Sequence, residues 1–157
     1  MKCFLIPLAT ATLYMGAAMA QAPANIEGLY ETPKGSGPTV SLELIVLDPE
    51  NGIVAASTSL NDPPNATRSM ACGGDVQGLG QISGRQLVFA PYDQTGEGKD
   101  CRITATFDSA YRNVRFSQTP ACARFSGWSC EWRGLKASKV DPWKQQDRSR
   151  PVPHKGN

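Results

Sequence analysis

The sequence predicts an all-β fold: a small antiparallel barrel or sandwich of about eight short strands, stapled by disulfides. Short β-prone runs recur between Gly, Pro, Asn and Asp residues, and several of them alternate apolar with polar side chains. No long run shows the three-and-four spacing of apolar residues that is typical of a helix. The expected strands are 26–31, 39–47, 53–59, 75–82, 86–90, 101–107, 112–118, 121–124 and 129–134.

The alternation is clearest in 101–107, where every second residue is apolar, and in 112–118, where Val114 and Phe116 alternate with Arg115 and Ser117. This pattern is typical of an antiparallel strand with one buried face and one face in water. Asn51-Gly52 predicts a tight turn that joins two strands into a hairpin. The glycines of 75–82 predict a bent or bulged strand.

The first twenty residues have the pattern of a secretory signal peptide. Lys2 precedes an apolar stretch too short to span a membrane, and Ala18-Met19-Ala20 offers the small-x-small cleavage pattern. We therefore expect a signal peptide at 1–20, a barrel-like domain at 21–140 and a flexible polar tail at 141–157. This organisation predicts a periplasmic or secreted protein without a membrane span.

Four cysteines remain after the signal: Cys72, Cys101, Cys122 and Cys130. An even number in a small exported domain predicts two disulfides. Four cysteines allow three pairings, and we favour Cys122–Cys130, across a predicted hairpin, with Cys72–Cys101. We expect no metal site, because no Cys-x-x-Cys spacing occurs and the one histidine lies in the tail.

Charge is unevenly distributed along the chain. Residues 27–108 contain eleven acids and five bases, whereas residues 112–157 contain ten bases and three acids. This asymmetry predicts one acidic and one basic region, unless strands of the two halves interleave in the sheet. The near-neutral total of +2 and the predicted export argue against a nucleic-acid partner.

The composition offers little for catalysis. A Ser-His or Cys-His enzyme needs a positioned base, and His154 lies in the predicted tail. The pairs of acidic residues fall in predicted turns, and Gly78-Leu79-Gly80 lacks the rest of a phosphate-binding loop. We therefore expect no enzyme activity and no cofactor.

The segment 121–134 concentrates aromatic residues, arginines and two cysteines. Its aromatics could simply close one end of the core, which suits Trp132 within a returning strand. It could also be a binding tip, because a rigid aromatic flanked by arginines is typical of an interface anchor. The candidate protein-binding residues are Arg124, Ser126, Gly127, Trp128 and Arg133.

Two parts of the chain carry a resemblance: Gly28-Leu29-Tyr30 and the run 122–134. They resemble the small periplasmic lysozyme inhibitors of Gram-negative bacteria. Inhibitors of C-type lysozyme carry a Ser-Gly loop, a following Trp and a Lys-Gly-x-x-Ala stretch. The residues that match here are Ser126-Gly127, Trp132 and Gly134-Leu135-Lys136-Ala137. Cys130 stands at the expected tyrosine, and Arg133 replaces the lysine.

The resemblance implies a periplasmic protein-binding module that inhibits a cell-wall hydrolase, either a host lysozyme or a competitor's effector. Its stiff loop would enter the sugar-binding cleft. Ser126 would hydrogen-bond the catalytic carboxylates, Arg124 or Arg133 would pair with them, and Trp128 would occupy a sugar-stacking position. The alternative is a small-ligand carrier or a structural envelope protein, because eight-stranded barrels can hold one small ligand.

Overall fold

The computed structural model describes residues 21–33, 35, 37–64, 70–93, 96–126 and 130–141, with Glu97 described by its backbone alone. The predicted signal peptide at 1–20 lies outside the described residues. So do Gly127, Trp128 and the predicted tail from residue 142 onward.

The described residues form a closed barrel of eight antiparallel strands, which confirms the predicted fold class and selects a barrel over a sandwich. Each strand pairs with the next one in the sequence, and the last strand pairs with the first. The strands are β1 (Gly28–Glu31), β2 (Thr39–Asp48), β3 (Ile53–Asp62), β4 (Cys72–Ser83), β5 (Gln86–Pro91), β6 (Ile103–Phe107), β7 (Asn113–Gln118) and β8 (Lys136–Lys139).

The predicted Asn51-Gly52 turn joins β2 to β3. Gly52 adopts a φ of 67°, in the left-handed region that glycine tolerates best. The Asp48 carboxylate accepts hydrogen bonds from the backbone N–H and the side-chain amide of Asn51, at 3.1 and 2.7 Å. These bonds lower the pKa of Asp48, the side-chain bond most strongly. The turn is therefore stabilised by interactions among residues 48–52, which are adjacent in the sequence.

The strand order keeps the acidic and basic halves of the chain apart. Because the strands follow one another around the barrel in sequence order, the two halves do not interleave. The acidic half forms β1 to β6, and the basic half begins at Arg112, before β7. The last strand, β8, closes the barrel by pairing with β1.

Side chains fill the interior of the barrel. The alternation in β6 and β7 places Ile103, Ala105 and Phe116 inward, each at most 1% exposed. The largest fully buried side chains are Trp132, Tyr30, Phe89 and Phe116. Every buried side-chain nitrogen or oxygen in the described part of the chain has a hydrogen-bond partner.

The predicted final hairpin is wrong. Residues Pro120–Cys122 form a 3-10 turn that leads into a one-turn helix, α1 (Ala123–Ser126), instead of a strand. The described residues 130–135 contain no strand, and the last strand begins at Lys136. Pro120 explains the start of the helical segment, because proline favours the first helical positions and cannot donate to a sheet ladder.

The predicted disulfide pairing is also wrong, although the number of disulfides is right. Cys72 pairs with Cys130, and Cys101 pairs with Cys122. The favoured Cys122–Cys130 bridge required two strands of one hairpin, and α1 occupies that place. The barrel instead brings together cysteines that are 58 and 21 residues apart in sequence.

Gly78 on β4 has no room for a side chain. A Cβ atom there would overlap the carbonyl oxygen of Ala90 and lie 2.7 Å from its carbonyl carbon. We expect Gly78→Ala to lower the free energy of unfolding by about 1–3 kcal/mol, because the backbone of β5 would have to move. Gly37→Ala is the matched control, since a Cβ there meets nothing within 4 Å. Equal urea midpoints for both variants would contradict this packing.

Within the described ranges, none of the helices is both long and apolar enough to cross a membrane.

Candidate functional site

The two ends of the barrel differ in their connections. One end, here called the loop end, carries the four longer connections 32–38, 63–71, 92–102 and 119–135. The other, the turn end, carries the short connections 49–52, 84–85 and 108–112. Both disulfides lie at the loop end, with Cα–Cα distances of 6.0 Å for Cys72–Cys130 and 4.5 Å for Cys101–Cys122.

Two glycines let α1 pack tightly at the loop end. A Cβ at Gly74 on β4 would lie 2.9 Å from the carbonyl carbon of Phe125. A Cβ at Gly98 would lie 2.8 Å from the Phe125 ring. Since real Cβ atoms essentially never approach so closely, the absence of side chains at these two positions allows α1 to pack there.

Trp132 belongs to the core, as the core-closing interpretation of 121–134 expects for this residue. It is fully buried, and its indole N–H donates to the Thr58 hydroxyl at 3.1 Å. The Thr58 hydroxyl in turn donates to the Ser41 carbonyl at 2.7 Å. The backbone N–H of Trp132 donates to the side-chain oxygen of Gln118 at 2.8 Å. These bonds tie the segment after α1 to β2, β3 and β7.

The five predicted binding residues do not form one surface. Ser126 is fully buried, and its hydroxyl donates to the Cys130 carbonyl at 2.7 Å, so the expected bond from Ser126 to an enzyme's carboxylates is wrong. Ser126 is the last residue of α1, and this hydrogen bond connects the end of the helix to the disulfide-bonded Cys130. Gly127 and Trp128 lie outside the described residues.

Of the predicted binding residues that the structure describes, Arg124 and Arg133 reach solvent at the loop end. Arg124 extends beside the 3-10 turn Gly96–Gly98. Arg133 approaches Glu131 at 3.5 Å, with both side chains more than half exposed. An exposed ion pair of this kind contributes little stability, so Arg133 can exchange Glu131 for another acid at low cost.

Four further cations lie on β7 and β8 or, for Arg112, immediately before β7, and we call them the basic seam: Arg112, Arg115, Lys136 and Lys139. Arg115 and Lys136 are direct cross-strand partners. Like charges in such positions destabilise a sheet. In the part of the chain that the structure describes, neither side chain has a hydrogen bond or an ion pair. The positive charge of this pair is therefore not balanced by an ion pair within the described residues.

Lys139 lies at the turn end of the seam, where polar, aromatic and charged groups surround its ammonium. Its ammonium donates to the Asn25 carbonyl and lies 5.7 Å from the centre of the Tyr30 ring. Burial lowers the pKa of Lys139, the nearby Arg112 lowers it further, and Glu27 acts in the opposite direction. A negative group placed beside Lys139 and Arg112 would therefore relieve a like-charge repulsion.

A groove of about 810 Å³ follows the seam on the outside of the barrel. Arg115 and Lys136 line it from β7 and β8, and Pro33 and Pro38 line it from the connection between β1 and β2. Asp108 lies at its turn end, where bonds from Asn113 and the backbone lower the pKa of its carboxyl group. The groove thus combines apolar walls with two cations and, at its turn end, one carboxylate.

The metal-binding potential of the described residues is slight. Asp62, Cys72 and Cys130 bring ligand-type atoms within 4.8 Å of one another. Both sulfur atoms belong to the disulfide, so neither is available as a thiolate.

The charge asymmetry of the sequence predicted a basic region, and the basic seam is its structural form. The pairing of Arg115 with Lys136 was missed, because it depends on the register between β7 and a strand that the sequence did not reveal.

The fold and the site define a class: a disulfide-stapled, closed up-and-down barrel with a filled interior and a basic outer seam. No family model, no curated protein and no solved structure matches the chain.

Proposed function

We propose that the protein is an exported protein-binding module that inhibits a cell-wall hydrolase. The basic seam would meet the enzyme, together with Arg124 and Arg133 of the loop end. The observation that carries the proposal is the pairing of Arg115 with Lys136, two exposed cations that face each other across strands, neither of whose side chains forms a hydrogen bond or an ion pair among the described residues. A partner with a concentrated negative charge would remove this repulsion.

The chemistry of the target class supports this choice. Most glycoside hydrolases use two carboxylic acid residues that flank the scissile bond, so their clefts concentrate acidic groups. A cationic surface complements such a cleft, speeds association and disfavours wrong partners. Positive charge is what the seam and the two loop-end arginines have in common.

Rigidity supports inhibition over loose association. The Cys72–Cys130 and Cys101–Cys122 bridges hold the loop end, and α1 packs closely on Gly74. A surface that is already ordered loses less conformational entropy when it binds. The two disulfides also suit an oxidising compartment, such as the periplasm to which the predicted signal peptide would direct the chain.

The experiment measures residual lysis of a cell-wall suspension by C-type, goose-type and bacteriophage lysozymes with the mature, oxidised protein. We expect stoichiometric loss of lysis with at least one enzyme. In the double variant Arg115→Glu/Lys136→Glu, inhibition should weaken at least tenfold, because each reversed charge would repel the acidic cleft.

Arg85→Glu is the matched control, since Arg85 is also exposed but lies in the turn between β4 and β5. It should inhibit like the unaltered protein. Full lysis at a hundredfold excess over every enzyme would refute the inhibitor proposal. Inhibition that is equally strong in the seam variant would exclude the seam as the contact surface.

The groove favours a second candidate, a carrier of small anionic ligands. Its volume lies within the range of about 300–1,000 Å³ that is common for ligand sites. The barrel interior is a poorer ligand site, because Trp132, Tyr30 and Phe89 fill it. A native mass spectrum of the purified protein separates the candidates: a carrier retains an added mass that the Arg115→Glu/Lys136→Glu variant loses.

A further inference from the structure

The outer surface of β2 to β5 carries an apolar face. We define it by Ile45, Leu47, Ile53, Ala55, Leu79 and Val88. The exposed fractions of its four most exposed members are 54% for Ile45, 55% for Leu47, 49% for Leu79 and 41% for Val88. These residues alternate with inward side chains such as Leu44 and Val54, so they point away from the core, and no other described residue buries the four most exposed of them.

The strand register makes this face continuous. Ile45 pairs with Ala55, and Ala55 pairs with Leu79, which places these three in one row across β2, β3 and β4. Ile53 and Val88 flank Gln81 in the next row. A shallow depression of about 330 Å³ lies among Ile53, Leu79 and Val88. A continuous exposed apolar patch is typical of an interaction surface.

The closed barrel limits how a partner can approach this face. Since every strand is paired on both sides, no free strand edge is available at β2 to β5 for the addition of another strand. A partner must therefore pack face to face, as two sheets do when their side chains interdigitate. A partner that itself presents a sheet face fits this requirement.

Charges at the two sides of the face indicate which partner fits. The face has no charged member, whereas Glu43 projects beside it on β2 and Arg102 lines its far side beyond β5. A two-fold axis parallel to the strands would set the β2 side of one copy against the β5 side of the other. This arrangement brings an acidic side toward a basic side and apolar residues toward each other.

We propose that the apolar face is the interface of a homodimer, with a second copy of this chain as its occupant. The basic seam on β7 and β8 lies on the opposite side of the barrel and stays accessible in both copies. The dimer would therefore present two seams. This proposal does not depend on the inhibitor function, because its test needs no hydrolase.

The test is sedimentation equilibrium of the mature, oxidised protein over a wide concentration range at 0.15 M salt. We expect a mass of two chains. Leu79→Lys and Ile45→Lys should each weaken association at least tenfold, because a lysine would be buried between two apolar faces. Ser117→Lys is the matched control, since Ser117 projects from β7 on the other side of the barrel and is also exposed.

The charge arrangement has its own test. Glu43→Arg and Arg102→Glu should each weaken the dimer, and the double variant should regain part of the affinity. Circular dichroism and urea midpoints establish that each variant is folded, which is expected because the changed side chains are exposed or half-exposed.

Two results would overturn the homodimer. One is a single-chain mass at every concentration, including the case in which the protein binds phosphatidylcholine vesicles through Leu79. The other is a dimer that Leu79→Lys and Ile45→Lys leave intact. The seam variant Arg115→Glu/Lys136→Glu should remain dimeric, so a loss of inhibition in that variant tests only the function.

Discussion

Replacing both Cys72 and Cys130 by alanine is expected to lower the free energy of unfolding by about 4 kcal/mol. The bridge joins residues that are 58 positions apart, and a cross-link over a loop of that length strongly restricts the unfolded chain. Removing the Cys101–Cys122 bridge, which spans 21 positions, should cost about 3 kcal/mol. Urea unfolding of the three proteins measures both effects.

The control is the unaltered protein unfolded in the presence of a reductant, which opens both disulfides. Its free energy of unfolding should fall at least as much as it does in either variant. Peptide mapping of the oxidised protein provides a direct readout. A peptide that joins Cys122 to Cys130 would contradict the pairing in the barrel. Equal stability with and without the Cys72–Cys130 bridge would contradict its role in holding the loop end.

Trp132→Ala is expected to cost about 3–5 kcal/mol, because it leaves a cavity at the loop end of the core. Trp132 is fully buried, and it also donates the bond to Thr58 that connects the segment after α1 to β3. Trp132→Phe keeps an aromatic ring but removes this donor, so a smaller loss of about 1–2 kcal/mol should result. Urea midpoints at one pH rank the three proteins.

Thr58→Val is the companion to this experiment. It keeps the shape of the side chain but leaves the Trp132 indole N–H and the Ser41 carbonyl without the Thr58 hydroxyl. A loss of about 1–3 kcal/mol should follow, since a buried polar group without a partner is costly. If Trp132→Ala cost less than about 1 kcal/mol, Trp132 would not occupy the core.

The strands were predictable because their evidence is local. Alternation in 101–107 and 112–118 follows from a barrel wall with one face inside and one face in water. The turn at Asn51-Gly52 rests on the φ of Gly52 and on the Asp48 carboxylate, both of which depend on adjacent residues. The interactions that form such elements join residues close together in the sequence, so the elements can be predicted from it.

The disulfide pairing and α1 depend on contacts across the barrel. Cys130 meets Cys72 because α1 lies against β4, and it can lie there because Gly74 carries no side chain. A one-turn helix is too short to show a periodic pattern, so 121–124 looked like a strand. The match to the Ser-Gly loop of the inhibitors predicted that Ser126 contacts a partner, and its burial against Cys130 depends on contacts that no local pattern displays.

The pairing of β1 with β8 sets the orientation of any tethered form of the protein. The Val140 N–H donates to the Leu29 carbonyl at 2.8 Å, and Lys139 reaches Asn25, so Gln21 and Asp141 leave the barrel at its turn end. A fusion partner or a linker attached at either position would extend from that end. Molecules immobilised on a bead in this way would all display Arg124 and Arg133 outward, ready for capture of a partner from solution.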